Sequence, residues 1–370
     1  MLSLHIPDHY VHKTRLLEQL ATYVLPLSQH ILLITSPTAW KLTQARIVPC
    51  LNDAGIRYTL FIMDGECTQA CMEMLAERVR AEGITAVVGV GGGRVMDLAK
   101  GAGHFAQGMP VINVPTLAAT CAAWSPISIH YTAEGGQRGP IKLSRLPVWV
   151  LVDTTLLAAA PVRYLKAGIV DGLAKWYEFA PYQRKGDASL GMLLKENAAR
   201  LARDTFFEYG EQAVHDNRAQ RITPALISVI DASIALAGLA NSIVDEIDRI
   251  GVAHAVHNSV TYHASAHQYL HGEKVGFGLF IQALLDSSQP EENLRLVSLL
   301  QRYDMPLRLT DFAMQDPETE WRQVAERISL GSDICARLPY AISTAHINDA
   351  FQRSLDPQAA IAAWQVACTS

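Results

Sequence analysis

Residues 85–101 read TAVVGVGGGRVMDLAKG, and this stretch decides the fold. Residues 85–90 form a short apolar run, typical of a strand buried on both faces. Gly91, Gly92 and Gly93 then permit a tight turn, and a helix is predicted through residues 96–102. Backbone N–H groups in such a turn, backed by the positive end of the helix, bind phosphate. The run is not a strict GxGxxG, so it predicts an anion site, with a purely structural turn as the alternative.

Strand and helix signals alternate on both sides of this segment. Apolar runs predict further strands at residues 30–35, 58–63, 110–114 and 148–152. A helix is predicted at residues 39–54, between the strands at 30–35 and 58–63, and another at residues 68–81, between the strands at 58–63 and 85–90. Residues 127–131 and 139–143 flank Glu134-Gly135-Gly136 and predict a hairpin over the edge of the domain. This βαβα order predicts a parallel sheet with helices on both faces.

Beyond Pro161 the pattern changes to long helices, for example over residues 224–246 and 251–269. We therefore predict an α/β plus all-α protein. Its α/β domain spans residues 1–160, and its helical domain spans residues 161–370.

Composition restricts the class of protein. The 370 residues are 49% hydrophobic and carry a formal net charge of -5, which does not favour nucleic acid or anionic membranes as partners. The apolar tract at residues 225–240 is interrupted by Asp231 and predicts a buried core helix rather than a membrane span. The six cysteines are scattered without a CxxC pair, and the N-terminus has no secretory pattern, so we expect free thiols and a cytoplasmic location.

Histidines are concentrated in one segment of the second half. Five of the 13 lie between His254 and His271, and His254 and His257 would share a helix face. His263, His267 and His271 are spaced by four, which also repeats on one face. Imidazoles concentrated on an apolar helix indicate metal ligands, although a mixture of surface and core histidines is the alternative.

One carboxylate complements these imidazoles. Asp171 lies at the start of a predicted helix, where it would bind metal or cap the helix. The sequence HGEK at residues 271–274 indicates a helix break and restart, so His271 could approach from a different helix than His254. One carboxylate and two imidazoles make a three-ligand site with an open position, as a catalytic zinc requires.

Six motifs, in order, resemble those of the glycerol dehydrogenase branch of the iron-containing alcohol dehydrogenase superfamily. They are GVGGGRVMDLAKG, VPTLAAT, VDTTLL, GIVDGLAKWYE, AHAVHN and HGEKVGFG. The resemblance implies that residues 1–160 are a Rossmann-like, dinucleotide-binding domain and that residues 161–370 are a helical, metal-binding domain, in a dehydroquinate synthase-like architecture. It also implies a metal in the cleft between them, a small-molecule substrate, and assembly into dimers or larger homo-oligomers.

Matched position by position, the resemblance assigns the metal to Asp171, His254 and His271. His257 matches a histidine near the nicotinamide side of the cleft that is not a ligand in this branch. The resemblance also implies a set of cofactor contacts. These are Gly93, Arg94 and Asp97 at the pyrophosphate and ribose, beside Gly91 and Gly92, and Thr116, Ala119, Ser125, Ile127 and Tyr131 along the pocket.

Three positions depart from the family's pattern. Cys121 stands where the glycerol enzymes have an Asp that helps to hold the polyol. Lys175 stands where the iron enzymes have a fourth ligand, which favours Zn2+ over Fe2+ or another divalent metal. Ser36 stands where NAD-using members have an Asp that repels a 2′-phosphate, so NADP is expected, with NAD as the alternative.

These departures change the expected substrate. Lys175 lies one helical turn from Asp171 and could bind a substrate carboxylate, or it could pair with an acid such as Glu178 or point out of the cleft. With Cys121, it predicts hydride transfer between NAD(P)H and a small 2-oxo acid, as in the bacterial hydroxycarboxylate dehydrogenases that the chain also resembles. Proton relay would use His257 or ordered water.

The alternatives are a glycerol or small-diol dehydrogenase that uses NAD, a dehydroquinate synthase-like lyase, and a non-catalytic metal- or nucleotide-binding regulator.

Overall fold

A parallel sheet of six strands forms the core of the N-terminal part in the computed structural model, which describes residues 1–247, 249, 251–313, 317–328 and 330–369. The strands along the chain are β1 (Ser3–Leu4), β2 (His9–Lys13), β3 (His30–Thr35), β4 (Arg57–Ile62), β5 (Ala86–Gly91), β6 (Val111–Pro115), β7 (Ile127–Tyr131), β8 (Gln137–Lys142), β9 (Trp149–Asp153) and β10 (Ile243–Val244). The main sheet has the order β2-β9-β6-β5-β3-β4. The predicted parallel sheet is confirmed.

Helices pack against this sheet and, with the two-stranded pairs β1–β10 and β7–β8, form the rest of the described molecule. The helices before residue 160 are α1 (Leu20–Val24), α2 (Pro37–Asp53), α3 (Gln69–Ala81), α4 (Gly93–Phe105) and α5 (Thr154–Ala158). Those after it are α6 (Val162–Arg184), α7 (Leu190–Arg218), α8 (Pro224–Asp231), α9 (Ala237–Ser242), α10 (Val252–Val260), α11 (His271–Leu285), α12 (Pro290–Arg302), α13 (Pro317–Arg327), α14 (Ser332–Ala336), α15 (Thr344–Ser354) and α16 (Pro357–Thr369).

The carboxyl ends of three neighbouring strands meet at one edge of the sheet. Thr35 of β3 is opposite Val90 of β5, and Gly91 of β5 is opposite Pro115 of β6. The chain passes from β4 back across β3 to β5, so the direction of strand succession reverses between β3 and β5. Open α/β sheets bind ligands in the crevice outside the carboxyl ends at such a reversal. The glycine turn lies there.

The edge strand β2 was not predicted from sequence. Its residues, HYVHK, are mostly polar and half-buried or exposed. It pairs in parallel with β9, whose apolar run was predicted. An edge strand needs no continuous apolar run, because only part of its surface is covered. The predicted hairpin is confirmed as the antiparallel pair of β7 and β8.

Two helix predictions in the second half were wrong in extent. The predicted helix over residues 224–246 ends at Ser242, contains a π-helical turn at Ala232–Leu236, and is followed by β10, which pairs with β1. The helical part is therefore not all-helical. By length and composition Pro224–Ser242 is apolar enough to cross a membrane, but over half of it is buried within the protein, as a core helix is.

The second overextended prediction is the helix over residues 251–269, of which α10 covers only Val252–Val260. A short 3-10 turn follows at Ala264–Ala266, and α11 begins at His271. His263, His267 and His271 therefore do not share one helix face. His263 lies beside Glu320 and Arg327, and His267 bonds the Thr261 carbonyl oxygen.

Candidate active site

The side chains of Asp171, His254 and His271 converge from α6, α10 and α11. Oδ1 of Asp171 lies 3.4 Å from Nε2 of His254 and 3.2 Å from Nε2 of His271. Two ligands of one tetrahedral ion, each about 2.1 Å from it, stand about 3.4 Å apart. The donor types and their spacing therefore fit a divalent cation. Burial opposes ionisation of Asp171, but Lys175 and His271 outweigh it and hold the pKa of that carboxyl well below its usual range.

A close contact between two helices brings His271 to Asp171. Gly272, the second residue of α11, faces the backbone of α6, and a Cβ atom there would lie 2.0 Å from the carbonyl oxygen of Ala167. The start of α11 can approach α6 this closely only without a side chain at that position. A break separates α10 from α11 as predicted, but it precedes His271 instead of lying at residues 271–274, which form the first turn of α11. His271 therefore approaches from a different direction than His254.

The outer nitrogen of each histidine in the triad also has a partner. Nδ1 of His254 lies 2.7 Å from Oε2 of Glu178, and Nδ1 of His271 lies 2.9 Å from Nε2 of His257. Nδ1 of His257 in turn lies 2.9 Å from Oδ1 of Asn258. Burial, with His271 and Lys274 nearby, holds the pKa of His257 well below its usual range, so this imidazole is neutral. Such outer partners orient metal-binding imidazoles.

Sequence reasoning did not identify Glu178 or Asn258 as site residues. The signal for Glu178 was its spacing, because residues 171, 175 and 178 repeat along one face of α6. Asn258 adjoins His257 in the sequence, but nothing in the pattern distinguishes its role from that of a surface amide.

Lys175 points into the triad. Its Nζ lies 3.2 Å from Nε2 of His254 and 3.5 Å from Oδ1 of Asp171, and its side chain is buried. Burial lowers the pKa of this ammonium, but Asp171, Cys121 and Glu178 outweigh that effect, so its pKa is raised. Lys175 is therefore a cation whose nearest partners are two members of the triad.

Cys121 lies in the loop between β6 and β7. It is buried, and its Sγ accepts a hydrogen bond from Nδ2 of Asn241 at 3.6 Å. Burial raises the pKa of this thiol to about 11, with the charges of Lys175 and Asp171 acting on it in opposite directions. Cys121 is therefore a neutral thiol at physiological pH, and it lies close enough to the triad for the charge of Asp171 to affect its pKa.

The glycine turn forms the other half of the site. Gly91 ends β5, Gly92 precedes the first turn of α4, and Gly93 begins the helix. Gly92 carries no side chain to cap the free N–H groups of that turn. A Cβ atom on Gly93 would lie 3.2 Å from Oγ1 of Thr120, so a side chain at the start of α4 would crowd the loop after β6. The turn therefore fits the diphosphate of a dinucleotide.

The other predicted cofactor residues lie on elements that follow or adjoin this turn. The N–H of Thr116 bonds the Gly91 carbonyl oxygen at 2.9 Å. Arg94 pairs with Glu66 at 2.7 Å and lies over the ring of Tyr131. Ser36 caps α2, where its side chain accepts the N–H of Ala39. Ala119, Ser125 and Ile127 lie on the connection from β6 into β7.

Asp97 is placed less openly than its neighbours. Its carboxylate is buried and pairs with Nζ of Lys100 at 2.9 Å. Lys100 also donates to the carbonyl oxygens of Ser125 and Ile127. Asp97 therefore neither caps α4 nor projects freely into the turn, and it fixes Lys100, which holds the predicted pocket segment against α4.

The loop after β6 joins the two halves of the site. Gly168 of α6 faces this loop, and a Cβ atom there would lie 1.9 Å from the carbonyl oxygen of Ala118. Asp171 stands one helical turn further along α6. The predicted cofactor segment and the metal triad are thus held against each other by a backbone contact.

Comparison with known proteins gives concordant matches. A family model described as iron-containing alcohol dehydrogenase matches residues 7–154. The chain is 33% identical over 350 residues to a glycerol dehydrogenase of Pseudomonas putida, covering 93% of this chain and 94% of that protein. It is 34% identical over 269 residues to hydroxycarboxylate dehydrogenase A of Escherichia coli K12, covering 72% and 73%.

A solved structure has the same fold over almost the full length. It is a probable glycerol dehydrogenase of Sinorhizobium meliloti 1021, with a TM-score of 0.84 at 26% identity, covering 98% of this chain and 99% of that one.

Proposed function

Since the chain belongs to the iron-containing alcohol dehydrogenase family, and is a dehydrogenase that acts on CH–OH groups, we propose that it oxidises small vicinal diols such as glycerol. The observation that carries the proposal is the buried triad of Asp171, His254 and His271 beside an open glycine turn. The triad would hold a divalent cation, and the turn would hold a nicotinamide dinucleotide.

The choice of a diol reverses the order of the substrate predictions. The similarity to the Pseudomonas putida glycerol dehydrogenase extends over nearly the whole chain, whereas that to hydroxycarboxylate dehydrogenase A covers less of it. The comparisons therefore support the small-diol alternative better than the 2-oxo acid first expected. The position of Lys175 agrees, because its ammonium is already engaged by Asp171 and His254.

The residues of the site prepare the hydroxyl-bearing carbon of the substrate for loss of hydride, while the proton of its hydroxyl would pass to ordered water. When bound, the cation supplies Lewis acidity that lowers the pKa of a substrate hydroxyl, and the nicotinamide accepts the hydride. Asp171 stays ionised at working pH because its pKa is held low. His257 stays neutral, so its Nε2 can accept a hydrogen bond from the Nδ1–H group of His271. Both imidazoles are thereby kept in one orientation and one tautomer.

A second candidate is the reduction of small 2-oxo acids with NADPH. Two residues favour it: Cys121 in place of the Asp of the glycerol enzymes, and Ser36 in place of an acid that would repel a 2′-phosphate. A carboxylate would have to draw the ammonium of Lys175 away from Asp171.

We propose Zn2+ as the cation, because Lys175 replaces a fourth protein ligand.

A substrate panel separates the candidates. The purified full-length protein is assayed with glycerol, ethylene glycol and 2-hydroxybutanoate as reductants, and with 2-oxobutanoate and 2-oxoglutarate as oxidants, each with both cofactors. The proposal expects glycerol or ethylene glycol to give the highest kcat/KM, and a strong chelator to abolish turnover. A preference for the 2-oxo acids would favour the second candidate. Binding of the cofactor without turnover of any substrate would favour a regulator. Release of phosphate from a phosphorylated substrate, without net oxidation or reduction, would favour a lyase.

Assembly and location complete the proposal. We propose a homo-oligomer, for which light scattering of the purified protein is the test. We also propose a cytoplasmic location, which the six free thiols support.

A further inference from the structure

We propose that Glu178 is the positioning residue that makes His254 a metal ligand, an inference that rests on the proposed metal-dependent function. Both carboxylate oxygens of Glu178 engage the same residue. Oε1 accepts the backbone N–H of His254 at 2.8 Å, and Oε2 lies 2.7 Å from its Nδ1. Glu178 is buried, so this bidentate contact is shielded from water.

The contact fixes which nitrogen of His254 faces the ion site. An ionised carboxylate only accepts hydrogen bonds, so Nδ1 of His254 must carry a proton. A neutral imidazole then has its lone pair on Nε2, the nitrogen that faces Asp171 at 3.4 Å. Glu178 thus presents a ligand atom to the ion instead of an N–H group.

The backbone also makes room for this carboxylate. A Cβ atom at Gly251 would lie 1.8 Å from Cδ of Glu178. Gly251 precedes the first turn of α10, whose N–H groups lack partners within the helix. Glu178 caps that turn from α6. Because Asp171 is also on α6, the cap by Glu178 fixes the position of His254 relative to Asp171.

The test measures metal affinity in three variants of the full-length protein. Glu178→Gln keeps the size of the side chain but turns one oxygen into an NH2 donor. Facing Nδ1, that donor would favour the tautomer that has its proton on Nε2. Facing the backbone, it would oppose the N–H of His254. We expect Zn2+ and Co2+ to bind about 10- to 100-fold more weakly, as measured by competition with a chromophoric chelator.

Two further variants make the test specific. Glu196→Gln is the matched control. Glu196 is a buried glutamate like Glu178, but it lies on α7 and pairs with Arg200. It should bind metal as the parent does. Glu178→Asp keeps the charge and shortens the side chain, so it should restore part of the affinity and of the Co2+ absorption spectrum that Glu178→Gln loses. A purely structural glutamate would give no such rescue.

The outcomes separate this inference from the proposed function. Parent-like affinity in Glu178→Gln, or equal weakening in Glu196→Gln, overturns the positioning role. If Glu178→Gln does not fold, Gly251→Ala decides, because its Cβ displaces the carboxylate: weaker binding supports the role and parent-like binding overturns it. A parent that binds metal but does not oxidise diols refutes the substrate proposal alone. A parent that binds none of Zn2+, Co2+, Fe2+ and Mn2+ refutes both.

Discussion

The ammonium nitrogen of Lys175 lies 3.2 Å from Nε2 of His254, the ring nitrogen that faces Asp171. Lys175 therefore holds a positive charge where a divalent cation would bind. Two unit charges of the same sign about 4 Å apart repel each other by about 4 kcal/mol near a protein surface. The flexible ammonium of Lys175 would avoid part of this repulsion by moving away from the ion. We predict that Lys175→Met binds Zn2+ about tenfold more tightly, as measured by chelator competition.

The control for this prediction lies on the same helix. Lys166 is buried on α6 and pairs with Asp304, away from the triad, so Lys166→Met should leave metal affinity unchanged. Unchanged or weaker binding in Lys175→Met would show that the ammonium does not compete with the ion.

The contact between Gly168 and the carbonyl oxygen of Ala118 should govern both stability and cofactor binding. In Gly168→Ala the added Cβ would lie 1.9 Å from a backbone atom, which cannot rotate away. We predict a loss of about 1–3 kcal/mol in the free energy of unfolding and a higher KM for the cofactor. Gly331→Ala, where the Cβ meets open space, is the control in denaturant titrations. Equal stability of the two variants would contradict the prediction.

Ser36 should set the choice between NADP and NAD. Its side chain caps α2 beside the reversal in strand order, and an aspartate caps a helix equally well. We predict that Ser36→Asp lowers the ratio of kcat/KM for NADPH to that for NADH at least tenfold, because the carboxylate repels a 2′-phosphate. Ser36→Ala loses the cap but adds no charge, so it should cost about 1 kcal/mol of stability and leave the ratio unchanged. A ratio that moves equally in both variants would assign the effect to the cap.

Asp216 should stabilise the fold in a pH-dependent way. Hydrogen bonds from Thr223, Gln212 and Arg221 lower the pKa of this carboxyl to about 2, against the opposing effect of burial. A depressed pKa means that the stabilisation is complete above the unfolded pKa of about 3.9 and is lost as the pH falls towards 2. Asp216→Asn should therefore lower Tm at neutral pH, and its difference from the parent should shrink below about pH 4.

Thermal melts of the parent, Asp216→Asn and Asp53→Asn across this range check the prediction. Asp53 is exposed, so its variant controls for the loss of one charge. A difference in Tm between Asp216→Asn and the parent that stays constant down to pH 3 would show that the carboxylate contributes no pH-dependent stability.

The central strands and the glycine turn could be predicted from the sequence because their signals are local. Residues 30–35 and 86–91 are buried on both faces, and such strands show as continuous apolar runs. The polar edge strand β2 gives no comparable signal. The helix predicted over residues 251–269 failed for a tertiary reason. It stops at Val260, where the hairpin of β7 and β8 packs: the N–H of Gln137 bonds Oγ1 of Thr261, and Tyr262 bonds the Gln137 carbonyl oxygen.

By itself, the sequence determined which elements carry the chemistry: a strand that ends in glycines, and a helix with Asp171 and Lys175 on one face. Those features follow from helical and strand periodicity, which acts over a few residues. Only the tertiary structure decided that Glu178 contacts His254, which lies 76 residues further along the chain. It also decided that His271 contacts Asp171, which lies 100 residues before it in the chain. These contacts depend on how closely separate helices approach, which Gly251 and Gly272 permit and which no local pattern records.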